Sequence, residues 1–125
     1  MPYLVDGHNL IPKIPGLSLT DLEDEKQLLE MLQEFCRLQQ KNIEVFFDNA
    51  PPGGVRVRKL GRVIARFIRQ GTSADAAIYQ RLQQLGRSAR NWTVVSSDLA
   101  VQGAGRQAGA RVLASEKFAL LLRQT

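Results

Sequence analysis

Four aspartates stand just after apolar runs or in the first turn of a predicted helix. They are Asp6 after Tyr3-Leu4-Val5, Asp48 after Val45-Phe46-Phe47, Asp75 after Gly71-Thr72-Ser73-Ala74, and Asp98 after Val94-Val95-Ser96-Ser97. If the runs are parallel strands, all four carboxylates meet at one edge of a sheet, which is where such sheets bind ligands. Carboxylates held together repel one another unless a cation neutralises them. Hard oxygen ligands favour Mg²⁺ or Mn²⁺, and these ions support phosphodiester cleavage.

The charge of the chain is unevenly distributed. Its 125 residues hold 17 Lys and Arg against 12 Asp and Glu, which gives a net charge of +5 and a pI near 9.9. Between residues 45 and 115 eleven bases accompany only three acids, namely Asp48, Asp75 and Asp98. A basic segment whose few carboxylates cluster at strand and helix ends is typical of a metal site that handles a polyanion.

Polar and basic side chains near the aspartates are candidates for holding the substrate. They are His8, Asn9, Arg56, Arg58, Lys59, Arg62, Thr72 and Ser97. We expect Asn9, Thr72 and Ser97 to orient waters or phosphate oxygens, and the single histidine to bind a phosphate or move a proton. Residues 53–62 begin with two glycines and contain four bases. This pattern predicts a mobile basic loop that follows a nucleic-acid backbone.

Each of these residues also has a purely structural interpretation. Asp75 and Asp98 lie where an acid stabilises a helix N-terminus, and Asp48 precedes a turn-forming segment. His8 equally suits packing or the surface, Asn9 suits a turn, and the basic loop suits simple solvation. Asp6 has no predicted helix to cap, so its structural interpretation is the weakest. One shared site explains all four aspartates more economically than four separate structural roles.

Five short apolar runs alternate with helical segments, and these elements must position the aspartates. The runs are residues 3–5, 43–47, 63–68, 92–95 and 112–113. Their continuous apolar character is typical of strands covered on both faces. The predicted helices begin with a capping box at Thr20 and Glu23, at Thr72 and Ser73 (ending near Arg87), after Ser97, and at Ser115.

The element order predicts an α/β fold. Residues 59–69 carry bases at helical spacing, but the apolar residues between Gly61 and Gly71 favour a strand there. The resulting order predicts a single three-layer domain over residues 1–125, with a mainly parallel five-stranded sheet.

Several protein classes are excluded by simple features. The single cysteine, Cys36, rules out an internal disulfide and a zinc site built on several thiolates, and we expect it to be a small buried hydrophobe. No apolar run approaches the roughly 18 residues of a membrane span. The first residues lack the basic and apolar regions of a signal peptide. We therefore expect a cytoplasmic protein with no membrane partner.

Four segments carry a resemblance to a known family. They are Val5-Asp6-Gly7-His8-Asn9-Leu10, Val45-Phe46-Phe47-Asp48, Gly71-Thr72-Ser73-Ala74-Asp75-Ala76-Ala77-Ile78 and Val95-Ser96-Ser97-Asp98. In this order and spacing they resemble the YacP-like NYN domain, a branch of the PIN-like nuclease superfamily, over nearly the whole chain. The resemblance implies a compact α/β nuclease domain whose four aspartates line a Mg²⁺ or Mn²⁺ site. It also implies RNA as the substrate, on translated or ribosome-associated messages.

Two positions depart from the family's pattern. The first motif usually reads Asp-Gly-Tyr-Asn, whereas His8 stands at the tyrosine position here, so stacking by a tyrosine ring is lost or altered. A second acid often follows the aspartate of the third motif, whereas this chain has Ala76. That replacement weakens a second metal position.

Together these observations predict a metal-dependent endoribonuclease. Asp6, Asp75 and Asp98 are its expected principal metal ligands, and Asp48 is an outer or second-metal ligand. The alternative is a non-catalytic RNA- or ribosome-binding module on the same scaffold, which Ala76 and the small size favour. A phosphatase or phosphoryl-transfer domain ranks last, because no second acid lies two residues after Asp6 and no glycine-rich phosphate loop follows the first strand.

Overall fold

The computed structural model describes residues 2–17, 22–50 and 53–124. Its strands are β1 (Tyr3–Asp6), β2 (Ile43–Ala50), β3 (Val57–Leu60), β4 (Val63–Arg69), β5 (Thr93–Val95) and β6 (Arg111–Leu113). Its α-helices are α1 (Gly7–Leu10), α2 (Leu22–Gln39), α3 (Ala74–Leu85), α4 (Leu99–Gln107) and α5 (Ser115–Arg123). Two 3₁₀ helices cover Ile11–Lys13 and Gly86–Asn91.

The strands form one mixed sheet in the order β3-β4-β2-β1-β5-β6. Strand β1 is central and pairs in parallel with β2 on one side and β5 on the other. Strands β4 and β6 extend the two sides in parallel, and only β3 is antiparallel to its neighbour. The predicted α/β fold with a mainly parallel sheet is confirmed, with six strands rather than five. The strand order reverses beside β1, which puts the crevice of a doubly wound sheet at the carboxyl end of this strand.

The sixth strand corrects the prediction of a mobile basic loop over residues 53–62. Residues 57–60 pair with β4 in register, from Val57 opposite Arg66 to Leu60 opposite Val63. Gly61, at φ +62°, makes the tight turn between the two strands. Strand β3 is an edge strand with three exposed residues, so it has no buried apolar run to reveal it. Its exposed bases also discourage pairing with another sheet.

Helices cover the sheet on both faces and bury two apolar clusters. On one face α2 and α5 pack over Val5, Val45 and Phe47. On the other face α3 and α4 pack over Leu4, Phe46 and Val94. Consecutive residues of β2 thus face opposite cores, which explains why the predicted strands read as continuous apolar runs. Cys36 is buried in the first core, as expected, and burial raises its pKa to about 11.

Helix ends follow the predicted signals where the structure describes them. Ser73 caps α3 by accepting a hydrogen bond from the amide of Ala76 at 3.0 Å. This helix ends at Leu85 rather than near Arg87, because Gly86 adopts φ +53° and a 3₁₀ helix follows. The predicted capping box includes Thr20, which lies outside the described residues. Within residues 2–17, 22–50 and 53–124, no helix has the length and apolarity that spanning a bilayer requires.

A buried ion-pair cluster fixes α3 to the sheet. Glu44 on β2 is 4% exposed and accepts hydrogen bonds from Arg66 on β4 at 3.0 Å and from Arg81 on α3 at 2.8 Å. Burial by itself would raise the pKa of Glu44, but the two guanidinium groups more than offset this and hold the pKa below its ordinary value. Arg81 also lies 5.6 Å from the centre of the Trp92 ring. The cluster therefore sets the position of α3 along the sheet.

Gly7 provides a test of how tightly the segment after β1 is packed. A Cβ atom there would lie 2.5 Å from the Phe47 ring and 2.9 Å from the backbone oxygen of Phe46, which cannot move aside. We therefore expect Gly7→Ala to lower the free energy of unfolding by about 1–3 kcal/mol, as overpacked sites do. The matched control is Gly103→Ala in α4, where a Cβ meets open space and helix propensity favours alanine by about 0.5–1 kcal/mol. Denaturant unfolding measures both, and equal stability of the two variants would contradict the described packing.

Candidate functional site

Three strands direct polar residues to the same corner of the molecule. Leu4, Phe46 and Val94 all contribute to the α3–α4 core. Two residues further along each strand path come Asp6, Asp48 and Ser96. Because side chains alternate along a strand, the carboxyl edge of the sheet is polar on this face. Helices α3 and α4 begin beside this edge, with Asp75 in the first turn of α3 and Asp98 as the N-cap of α4.

Asp6 is the most buried of the four aspartates, at 6% exposed. One carboxylate oxygen accepts a hydrogen bond from the Ser96 hydroxyl at 3.1 Å. The pKa of Asp6 is raised to about 6, mainly by burial and also by the negative charges of Asp75 and Asp48. The hydrogen bond from Ser96 and the nearby backbone amide of Asn9 only partly offset these causes. A carboxylate in this position stays charged at neutral pH at an energetic cost that a nearby cation would remove.

Asp48 and Asp98 each accept hydrogen bonds at a helix N-terminus. The Oδ1 atom of Asp48 accepts from the backbone amide of Ala74, so this aspartate of β2 reaches across to the start of α3. Oδ1 of Asp98 accepts from the amides of Ala100 at 2.8 Å and Val101 at 3.1 Å. Asp98 therefore caps α4, as its structural interpretation predicts. Asp48 binds the helix amide instead of forming a local turn.

Asp75 completes the group of acids and differs from the other three. It makes no hydrogen bond or ion pair with any residue that the structure describes, and it is only partly exposed. Partial burial raises the pKa of Asp75, and the charges of Asp98 and Asp48 add to the effect. Asp75 therefore lies within electrostatic reach of the other three aspartates. We call Asp6, Asp48, Asp75 and Asp98 the acidic cluster.

The acidic cluster has the donor chemistry of a magnesium or manganese site. Its ligands are hard carboxylate oxygens, and one of them is buried with a raised pKa. In the described part of the chain, however, no three histidine, cysteine or acidic side chains are arranged as a complete set of metal ligands. The residues fit such an ion by their chemistry. In the structure Asp6, Asp48 and Asp98 instead accept the hydrogen bonds given above.

Ser96 is a site residue that the sequence analysis missed. It is fully buried, its hydroxyl donates to Asp6, and the same oxygen accepts from the Asp98 amide at 3.1 Å. Gln102 holds the segment by donating to the Ser96 carbonyl at 2.7 Å. One signal was available, because Ser96 continues the alternation that buries Val94 on the same face. Ser96 thus joins the ends of β1 and β5 through two of the aspartates.

His8 lies in α1, and both of its ring nitrogens contact protein atoms. Nδ1 accepts a hydrogen bond from the Asp48 amide at 3.3 Å, and Nε2 lies 2.6 Å from the Glu25 carboxylate on α2. An acceptor at Nδ1 requires the proton to sit on Nε2, where it is donated to Glu25. The ring also packs against Phe47 at 5.5 Å. The described contacts of His8 thus join α1, α2 and β2 beneath the acidic cluster.

The helix that carries His8 corrects one expectation about Asp6. Asp6 was expected to have no helix after it, but it is the N-cap residue of α1. No side-chain cap hydrogen bond accompanies that position. A helix of four residues has too few positions to show a period in the sequence, so this element could not be predicted from the pattern.

Asn9 and Ser97 take part in a network that ties the cluster to α5. Oδ1 of Asn9 accepts from the Ser97 amide at 2.8 Å and from the Ser115 hydroxyl at 2.7 Å. The Ser97 hydroxyl donates to Glu116 and accepts from the Ser115 amide at 3.0 Å. Lys13 lies 3.1 Å from the same Glu116 carboxylate. These contacts hold the start of α5 against the loop between β5 and α4.

The remaining predicted substrate residues lie at different distances from the acidic cluster. Thr72 is exposed and donates to the Arg69 carbonyl at 3.2 Å, in the turn before α3. Arg56 lies just before β3, and its carbonyl accepts from the Phe67 amide at 2.8 Å. The Arg62 carbonyl instead accepts from the Ile43 amide, at the start of β2.

Two of the predicted bases are therefore remote from the carboxyl edge. Asp48 is five residues beyond Ile43 on β2, a separation of roughly 16 Å along a strand. Arg62 lies at the Ile43 end, and Lys59 pairs with Ile64 near the same end of the sheet. The structure does not bring Lys59 and Arg62 to the acidic cluster. Arg58 lies between these ends, opposite Ala65.

Tyr79 is a second residue near the cluster that the sequence analysis missed. It lies on α3, four residues after Asp75, and residues at this spacing share one helix face. Partial burial raises the pKa of its hydroxyl, and the charges of Asp75, Asp98 and Asp6 raise it further. The spacing from Asp75 was the signal that could have identified it.

The raised pKa of Asp6 predicts a pH-dependent stability. The folded protein holds this proton with a pKa of about 6, against an ordinary value of 3.8. Between these values the folded state binds more protons than the unfolded chain, so its stability falls as the pH rises through this range. In a chelating buffer at neutral pH, we expect Asp6→Asn to be more stable than the wild type by on the order of 2 kcal/mol.

Denaturant unfolding at acidic and neutral pH tests this expectation. The wild type loses stability between the two conditions, and Asp6→Asn loses clearly less of it. Glu30→Gln, which makes the same chemical change on the exposed face of α2, is expected to follow the wild type. Parallel pH profiles for Asp6→Asn and the wild type would contradict the described environment of Asp6.

Comparison with known proteins adds independent information. The crystal structure of Rae1 (YacP) from Bacillus subtilis is similar, with a TM-score of 0.82 and 25% identity, covering 99% of this chain and 74% of that chain. A mutant of the same Bacillus subtilis protein gives a TM-score of 0.79 and 23% identity, covering 99% of this chain and 75% of that chain. None of the curated proteins matches this chain. The model of the YacP-like NYN domain matches residues 3–125. The chain therefore belongs to the YacP-like NYN domain family, within the PIN-like nuclease superfamily.

Proposed function

We propose that this protein is a divalent-metal-dependent endoribonuclease whose one domain spans residues 1–125. The observation that supports it most is the acidic cluster, in which aspartates from separate segments lie near the carboxyl edge beside β1 and the charges of its members raise the pKa values of Asp6 and Asp75. Such a grouping is costly without a bound cation. If the four aspartates served only to stabilise the fold, uncharged polar side chains could do so without repulsion between carboxylates.

The four aspartates have different roles in this proposal. Asp6, Asp75 and Asp98 are the principal ligands of Mg²⁺ or Mn²⁺, and Asp48 is an outer or second ligand. A bound ion of this type lowers the pKa of its water and stabilises charge on a phosphodiester. The helix amides hold Asp48 and Asp98 through one oxygen each, while Ser96 orients Asp6. Asp75, which no described hydrogen bond restrains, is available to turn toward an ion.

The substrate in this proposal is RNA, and the charge of the chain supports a polyanion. Of the four predicted bases, Arg56 and Arg58 lie nearest to the acidic cluster, at the edge strand β3. Asn9, Ser97 and Thr72 support the loops around the cluster. On the family resemblance we extend the proposal to messenger RNA at the ribosome, in the cytoplasm.

The second candidate is an RNA- or ribosome-binding module without catalysis. Two observations favour it. Ala76 stands where a second acid would follow Asp75, and no complete ligand set is formed among the described residues. In this alternative the bases between residues 45 and 115 bind RNA, and the acidic cluster does not cleave it.

Incubation of labelled RNA with Mn²⁺ or Mg²⁺, with and without a chelator, separates the two candidates. The nuclease proposal predicts products that appear only with the metal. Asp75→Asn is the sharpest variant, because it changes charge without removing a described hydrogen bond, and Asp6→Asn accompanies it. Partners of metal ligands already contribute about 10- to 100-fold, so we expect each ligand substitution to reduce the cleavage rate by at least about 100-fold.

Glu30→Gln is the matched control, and its cleavage rate should equal that of the wild type. Circular dichroism confirms that each variant is folded. Wild-type cleavage by folded Asp75→Asn and Asp6→Asn, or products that persist in chelator, would overturn the assignment. Salt-sensitive RNA binding without metal-dependent products would establish the binding module instead.

A further inference from the structure

A surface groove between α3 and α4 lies outside the acidic cluster, and Leu82 of the core forms part of its lining. Its volume is about 570 Å³, which is within the range of ligand sites. Tyr79 and Gln83 line it from α3, and Ala104, Gln107 and Ala108 line it from α4. One aromatic ring and two side-chain amides thus stand around a floor of small apolar residues.

Tyr79 is the groove residue that lies nearest to the acidic cluster along α3, four residues after Asp75. The other lining residues lie further toward the C-terminal ends of α3 and α4. Both helices start at the carboxyl edge of the sheet, one with Asp75 in its first turn and the other with Asp98 as its N-cap. On α3, Asp75, Tyr79 and Gln83 follow one another at intervals of four residues and so share one helix face. The carboxylate charges reach the Tyr79 hydroxyl, which is also partly buried. A strand with a phosphate at the cluster would therefore have its next nucleotide beside Tyr79.

The charge around the groove suits an RNA backbone. Residues 76–115, which include most of α3 and all of α4, contain one acid, Asp98. The carboxylate of Glu44, which approaches α3 from the sheet, is neutralised by Arg66 and Arg81.

Exposed arginines lie near the end of the groove that is farther from the acidic cluster. Arg87 directly follows Gly86, which lines the groove, and Arg106 directly precedes Gln107. The gradient from acidic cluster to arginines favours a polyanion that runs along the groove.

We propose that this groove binds an unpaired nucleobase of the RNA, next to the phosphate at the acidic cluster, with Tyr79 stacking on the base. Gln83 and Gln107 supply donors and acceptors for the base edge. Bases in an A-form duplex are stacked and paired, so only a single-stranded segment can place one there. This inference rests on the proposed function, since it takes the acidic cluster as the place of the phosphate.

Fluorescence anisotropy with a short unstructured RNA tests the groove directly, with Ca²⁺ as the divalent cation that neutralises the acidic cluster. A gel verifies that the RNA stays intact during the measurement. Stacking on an aromatic residue contributes enough affinity that Tyr79→Leu, which keeps an apolar side chain, should weaken binding by about tenfold. Tyr79→Phe keeps the ring and should bind within about twofold of the wild type. The same RNA annealed to its complement should bind weakly to all three proteins, so the preference for single strands falls in Tyr79→Leu.

Glutamine substitutions provide a matched pair. Gln83→Ala and Gln107→Ala remove amides from the groove, and each should weaken single-strand binding. Gln33→Ala removes an amide from a different groove, between α2 and the β3–β4 turn, and should leave binding unchanged. Thermal unfolding verifies that each variant is folded.

The outcomes separate this inference from the nuclease proposal. Single-strand binding that depends on Tyr79, found in a protein without metal-dependent products, upholds the groove and overturns catalysis. Metal-dependent cleavage together with wild-type RNA binding by folded Tyr79→Leu and Gln83→Ala overturns the groove alone. Equal affinity of the wild type for duplex and single-stranded RNA also overturns it.

Discussion

The repulsion between four carboxylates is the constraint on which the rest of this structure depends. The charges of Asp75 and Asp48 raise the pKa of Asp6, whose burial adds to the cost. The charges of Asp98 and Asp48 likewise raise the pKa of Asp75. The fold offsets this cost with dipoles. The N-termini of α3 and α4 each present amides to one aspartate, and the Ser96 hydroxyl serves Asp6. Helix N-termini carry partial positive charge, so two helices that begin at this edge are part of what keeps the acids together.

The segment Asp6-Gly7-His8-Asn9 shows how closely the cluster and the fold are joined. Gly7 allows the start of α1 to lie against the Phe47 ring, and His8 contacts Glu25 and the Asp48 amide. Asn9 accepts hydrogen bonds from Ser97 and Ser115. Each position thus has a different distant partner. A change at any one of them would shift Asp6 relative to Asp48 or Asp98, so a loss of activity there would not by itself identify a metal ligand.

Much of the fold and part of the site could be predicted from the sequence, for identifiable physical reasons. Strands covered on both faces are continuous apolar runs, so β1, β2, β4, β5 and β6 were found, and the aspartates at or just beyond their ends came with them. Strand β3 was missed because it is an exposed edge strand. Its side chains form no buried apolar face, so its sequence shows no apolar pattern. The contacts of Asn9 were not predictable, because they join residues 88 and 106 positions away. Such partners depend on the tertiary arrangement and leave no local pattern.

The acidic cluster and the bases between residues 45 and 115 would act on an RNA ligand in opposite ways. Exposed arginines attract a phosphate backbone at long range, whereas four carboxylates repel any phosphate that comes within a few ångströms. The two effects are compatible only if the negative charge at the cluster is neutralised where the phosphate docks. Protonation of Asp6 removes one charge at most near its pKa of about 6, which leaves three. A divalent cation compensates two charges and offers a ligand position to phosphate. Under the proposed function, the charge distribution therefore couples RNA binding at this edge to cation binding, whether or not cleavage follows.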